Sequence, residues 1–284
     1  MRLRVIVAMA CLIRAATMPA FAEDVPLPED SYAVVNLPRG TELPLVINRQ
    51  PGTQPKIAVL LFAGYPGILR IHDEGGKPAY DLRGNFLVRA RRHLLSPDIF
   101  TVLVDCPKDQ WTSCGDDYRT SSQHADDIAA VVAKVRSEFG AEKVYVMATS
   151  YGTESSAHLA LKLGDRLDGA IHTATFTDPK IGLGSSGHGA PMARFDWTAI
   201  KVDQLFVHHR DDPCDLTRYR SVVARKGNAS LITVLGSKGT RGDVCAAFSA
   251  HGFVGREQPT MLAIADWILG RKVQETVGDD RHED

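Results

Sequence analysis

Six short apolar runs, separated by helical patterns, constrain what this chain can fold into. They are "KIAVLLFAG" (Lys56–Gly64), "IFTVLVDC" (Ile99–Cys106), "KVYVMAT" (Lys143–Thr149), "LDGAIHTAT" (Leu167–Thr175), "DQLFVHH" (Asp203–His209) and "SLITVLG" (Ser230–Gly236). The first is apolar without alternation, which marks a strand buried on both faces. Between the runs lie segments with helical spacing: "NFLVRARRHLL", "SQHADDIAAVVAKVRSEFG", "ESSAHLALKL" and, at the end, "REQPTMLAIADWILG". Ser121 or Ser122 can cap the second of these, and Gly140 can end it. Strand–helix alternation predicts an α/β fold, a mostly parallel central sheet with helices on both faces. Ahead of it, Tyr32–Asn36 and Leu45–Asn48 read as a hairpin. In such sheets ligands bind beyond the carboxyl ends of the strands.

The chain has 284 residues, is 44% hydrophobic and carries a formal charge of −1. That suffices for one globular domain with a sizeable core. The near-neutral charge gives no electrostatic basis for binding nucleic acid.

The first 22 residues read as a signal peptide. Arg2 and Arg4 precede the short apolar stretch Val5–Ile13, and Ala20–Ala22 ends it with the small-x-small pattern of a cleavage site. That stretch is too short to span a bilayer, and no later one is long enough. The expectation is a chain beginning at Glu23, exported to the periplasm or secreted, with residues 23–284 as a single domain. Export makes the remaining cysteines, Cys106, Cys114, Cys214 and Cys245, an even set in an oxidising compartment. Three pairings are open. The spacing holds no metal-ligand pattern, and no metal or organic cofactor is expected.

Four features point to chemistry. In "ATSYGT" (Ala148–Thr153) a serine sits where a strand turns into a helix, with small residues two before and two after it. That is the form of a nucleophile elbow. "AGYPG" (Ala63–Gly67) follows an earlier strand, and the backbone N–H groups of Tyr65 and Tyr151 can form an oxyanion hole. "VHHRDDPCD" (Val207–Asp215) places Asp212, with Asp211 as its rival, at another strand end, while Asp215 reads as a helix cap. "AHGFVGRE" (Ala250–Glu257) puts His251 in a loop before the last helix.

Taken together, from Lys56 to Gly270, these motifs resemble the α/β-hydrolase superfamily, in its compact secreted bacterial, esterase-like form. Ala148 stands where the superfamily usually has glycine, and Ala63 where many members have histidine. The resemblance implies Ser150 as nucleophile, Asp212 as acid and His251 as base. It implies an acyl-enzyme mechanism on a small-molecule or acyl-ester substrate, with a small cap or none in Thr175–Trp197. If the acid and histidine loops meet, a Cys214–Cys245 disulfide follows, leaving Cys106–Cys114 as the second. Trp111 and Trp197 are expected in the substrate-binding wall, His188 in solvent, and His158 and His172 in structural roles. A peptidase, an acyltransferase or a non-catalytic binding protein would fit the same motifs.

Overall fold

A computed structural model describes residues 30–180 and 188–280. The expected signal peptide lies outside the described residues. Among the described residues there are eleven strands: β1 Ser31–Asn36, β2 Glu42–Asn48, β3 Ile57–Phe62, β4 His72–Glu74, β5 Lys77–Ala79, β6 Ile99–Val104, β7 Lys143–Thr149, β8 Gly169–Thr173, β9 Gln204–His209, β10 Ser230–Val234 and β11 Thr276–Val277. The α-helices are α1 Phe86–Ala90, α2 Asp116–Arg119, α3 Ser122–Ser137, α4 Thr153–Leu163, α5 Tyr219–Arg225 and α6 Glu257–Ile268.

Nine strands form one sheet in the order β1-β2-β6-β3-β7-β8-β9-β10-β11, and β4 pairs with β5 as a separate hairpin. The β1–β2 and β2–β6 pairs are antiparallel, and every later pair is parallel. The mostly parallel sheet with helices on both faces is therefore as the sequence predicts. Successive residues of β3 divide between the faces: Ala58, Leu60 and Phe62 join the layer under α3, α4 and α5, while Val59 and Leu61 join the layer under α1 and α6. Each fully buried aliphatic side chain contributes about 1.5–3 kcal/mol, so neither face tolerates a polar substitution. That double burial is why the strand reads as an unbroken apolar run.

Local rules set the ends. Ser121 caps α3, its Oγ accepting the His124 N–H at 3.0 Å. The sheet register aligns Phe62 with Ala148 and Thr149 with Thr173, so the turns leaving β3, β7 and β8 emerge together at one edge.

Candidate active site

Ser150 follows β7 with φ of +52°, a left-handed conformation that costs a non-glycine residue about 1–2 kcal/mol. The neighbours hold it there. A Cβ on Gly152 would lie 2.5 Å from Ala63 O and 2.7 Å from Phe62 O, so only glycine lets the start of α4 press this closely on the end of β3. Thr153 Oγ1 donates to Ser150 O at 2.6 Å and accepts the Phe176 N–H at 3.0 Å. Strand, strained serine and helix thus form a sharp corner with the hydroxyl at the sheet edge.

The β3–β7 register brings Gly64 and Tyr65 beside that corner. Their loop is anchored from below. Asp105, at the end of β6, accepts the N–H groups of Leu69 (2.7 Å), Ile71 (2.8 Å) and Cys106 (2.8 Å). Burial pushes its carboxyl up to about 6, against the lowering effect of those bonds. Arg119, buried on α2, donates to Cys114 O (3.0 Å), Ser155 Oγ (2.8 Å) and Pro66 O (3.4 Å), and its guanidinium stands 5.0 Å from the Tyr151 ring centre. It joins the Cys106–Cys114 disulfide loop, α4 and the Gly-Tyr-Pro loop.

Asp212 and His251 meet from opposite sides of β10. His251 Nδ1 lies 3.0 Å from Asp212 Oδ2. The same oxygen accepts the Thr217 hydroxyl (2.8 Å), and Oδ1 accepts the Cys214 N–H (2.9 Å). Burial alone would raise the Asp212 carboxyl, but the His251 hydrogen bond and charge, with smaller help from His208 and the Cys214 N–H, hold it below the usual carboxylate range. Asp211 points elsewhere: it is exposed and pairs with Arg210 at 3.4 Å. A Cys214–Cys245 disulfide ties the acid loop to the segment leading into His251. Both cystines thus have the expected partners.

A cleft of about 670 Å³ opens over Ser150 and His251, and Tyr65, Leu82, Phe86, Phe176, Leu216 and the Cys214–Cys245 bridge make most of its apolar wall. Trp111 and Trp197 are not among its lining residues. The Trp111 indole donates to Cys106 O at 3.0 Å and packs against the first disulfide. Trp197 lies in the core beneath, its ring 4.9 Å from His172 and 5.1 Å from Phe206, because Asp196 caps the short turn that swings it inward. His188, expected in solvent, is half-buried in the cleft wall, 5.2 Å from the Tyr65 ring and 5.3 Å from the Tyr151 ring. Asp215 pairs with Arg218 and caps no helix, since α5 begins at Tyr219. His172 is fully buried on Ser156 Oγ at 2.8 Å, and burial lowers it to about 3.

A family model described as serine aminopeptidase, S33, matches residues 114–248. Among solved structures, the chain is similar to Est1E from Butyrivibrio proteoclasticus, at 14% identity and TM-score 0.59, covering 84% of this chain and 98% of that one. It is similar also to a lidless α/β serine hydrolase from Xanthomonas campestris, at 16% identity and TM-score 0.53, covering 83% and 94%. These likenesses show that the chain has the α/β-hydrolase fold. A third similar structure is a 2,6-dihydroxy-pseudo-oxynicotine hydrolase, at 17% identity and TM-score 0.59, covering 88% and 71%. No curated protein matches the chain by sequence.

Behind the serine corner lies a group the sequence did not single out. Glu154 on α4 is fully buried, and its carboxyl oxygens have no hydrogen-bond partner among the described residues. Desolvation first, and the neighbouring Asp116 carboxylate second, raise it to about 8. Asp116 accepts the Tyr151 hydroxyl (2.6 Å) and the N–H groups of Gly189 (2.9 Å) and Ala190 (3.1 Å), fastening the β8–β9 connection to Tyr151 beside the serine corner. Residues 181–187 of that connection, on which the expected small cap depends, lie outside the described residues.

Proposed function

We propose that this chain is an α/β-hydrolase that cleaves a carboxylic ester, or a related acyl bond, with Ser150 as nucleophile, His251 as general base and Asp212 as the acid that orients it. The observation that carries the reading is the His251–Asp212 contact at 3.0 Å, next to a left-handed serine on the same cleft. His251 takes the Ser150 proton as the oxygen attacks the carbonyl carbon, and Asp212 fixes the Nδ1–H tautomer and stabilises the imidazolium. The Tyr65 and Tyr151 amides receive the developing oxyanion, each worth about 3–4 kcal/mol in comparable sites. The imidazolium then protonates the leaving alcohol. Water, deprotonated by His251, attacks the acyl-enzyme and releases the acid and free Ser150.

The apolar cleft wall favours an uncharged acyl group. Two disulfides and the signal-peptide pattern of residues 1–22 support action in the periplasm or outside the cell. The same triad would also serve a peptidase, the activity named in the matching family's description.

The test is labelling with a fluorophosphonate probe, followed by hydrolysis of p-nitrophenyl esters against amino-acid p-nitroanilides. Ser150→Ala is expected to abolish labelling and to lower kcat by about 10³–10⁶-fold with the fold intact. A folded Ser150→Ala variant that keeps its activity would reject the nucleophile, and faster anilide than ester turnover would turn the reading to a peptidase.

A further inference from the structure

Asn85 lies at the cleft with a side-chain donor that no acceptor among the described residues uses. Its backbone N–H donates to Leu82 O at 2.8 Å, ending the segment after the β4–β5 hairpin. Its side chain caps α1, with Oδ1 accepting the Leu87 N–H at 3.1 Å. That bond decides which end of the amide is oxygen, so Nδ2 must face away from the helix. Away from the helix is the cleft, which Asn85 lines together with Gly64, Ser150 and His251. A methyl group built on Gly64 would stand 3.2 Å from Ser150 Cβ and 3.4 Å from Asn85 Nδ2. The amide and the nucleophile therefore flank one point above Gly64. No acceptor among the described residues takes the Nδ2 hydrogens.

The missing Cβ of Gly64 leaves that point empty. Tyr65, the next residue, carries one of the two backbone donors proposed for the oxyanion. A carbonyl under attack by Ser150 must turn its oxygen toward those donors, and the space over the Gly64–Tyr65 turn is where it turns. A neutral amide already fixed at the border of that space needs no reorganisation to donate there. We propose that Asn85 is a catalytic residue of this site, its Nδ2–H a third, side-chain donor to the oxyanion beside the amides of Tyr65 and Tyr151. The assignment rests on the acyl-transfer reading above.

Helix capping supplies the control. Serine and aspartate both cap helices well, so Asn85→Ser and Asn85→Asp keep the acceptor for Leu87 N–H while removing the amide donor. Asn85→Ser is the decisive variant, because it adds no charge. With p-nitrophenyl butyrate as substrate, Asn85→Ser is expected to lower kcat by about 10²-fold while KM stays within about twofold. Asn85→Asp, which turns a carboxylate toward the oxyanion, should fall further. Melting temperatures within a few degrees of wild type establish that the cap survives. Two results overturn the proposal: an Asn85→Ser enzyme with kcat within twofold of wild type, or a loss carried by KM alone, which would make Asn85 a ground-state contact. Failure of the underlying reading is distinguishable, since wild type and Ser150→Ala would then hydrolyse the ester equally.

Discussion

Asp212 Oδ2 accepts two donors at once, His251 Nδ1–H and the Thr217 hydroxyl, while Oδ1 is held by the Cys214 N–H. A carboxylate gripped on both oxygens cannot rotate, so the imidazole it meets has one orientation. Asparagine at 212 would present either the wrong donor or the wrong tautomer partner, and kcat/KM on a short ester is expected to drop about 10⁴-fold. Asp211→Asn should stay within about twofold, because Asp211 is exposed and its partner is Arg210. The reverse ranking, measured on folded variants, would move the acid by one residue. Thr217→Val removes one of the donors on Oδ2. A loss near tenfold fits the ~1–1.5 kcal/mol of one such hydrogen bond, and an unchanged rate would make Thr217 a bystander.

At the scale of elements, the turn into α4 carries the strained serine, and α4 itself carries a carboxyl with no hydrogen-bond partner among the described residues one turn later. Glu154 keeps its proton in the fold up to about 8, whereas its ordinary value is 4.5. Between those values the folded state holds a proton that the unfolded state has released, so stability falls as pH rises through that window. Glu154→Gln, equal in size and uncharged, removes this slope. Relative to wild type the variant should gain on the order of 1–2 kcal/mol between pH 6 and pH 8, a shift of a few degrees in Tm. Parallel melting curves for the two proteins over that range would mean that Glu154 is ionised in the fold. This carboxyl was not legible from "TSYGTESS", because its shift comes first from burial in the folded core and second from Asp116, 38 positions earlier in the chain. The long parallel strands were legible, because burial on both faces writes itself as an unbroken apolar run. So were the Ser150 corner and the Asp-Pro turn, which need particular residue types locally. The β4–β5 hairpin, α2 and β11 are short and rest on tertiary contacts, so they leave no period to detect. Trp197 misled for a related reason: its loop position says nothing of the cap on Asp196 that turns the indole into the core. Thr217 and Asn85 are ordinary loop residues in sequence, and only the fold gives them neighbours.

Across the whole molecule, the two disulfides do different work. Cys106–Cys114 closes eight positions of chain under Arg119, whereas Cys214–Cys245 spans 31 positions and joins the acid loop to the histidine loop. In the chain-entropy picture the longer crosslink stabilises by about 3–4 kcal/mol. Its removal should do more than destabilise. A Cys214→Ser/Cys245→Ser variant, assayed well below its own Tm, is expected to lose at least tenfold in kcat/KM, because Asp212 and His251 are no longer tied. The Cys106→Ser/Cys114→Ser variant, matched for stability, should lose less. Equal losses would reduce both bridges to bulk stabilisers. The longer bridge also makes a closed covalent ring of the chain from Cys214 through α5 and β10 to Cys245. Gly227 and Asn228 are exposed within that ring, on the turn before β10. A protease cutting there opens the ring without dividing the molecule: the halves carrying Asp212 and His251 stay joined through sulfur and separate only under reducing conditions.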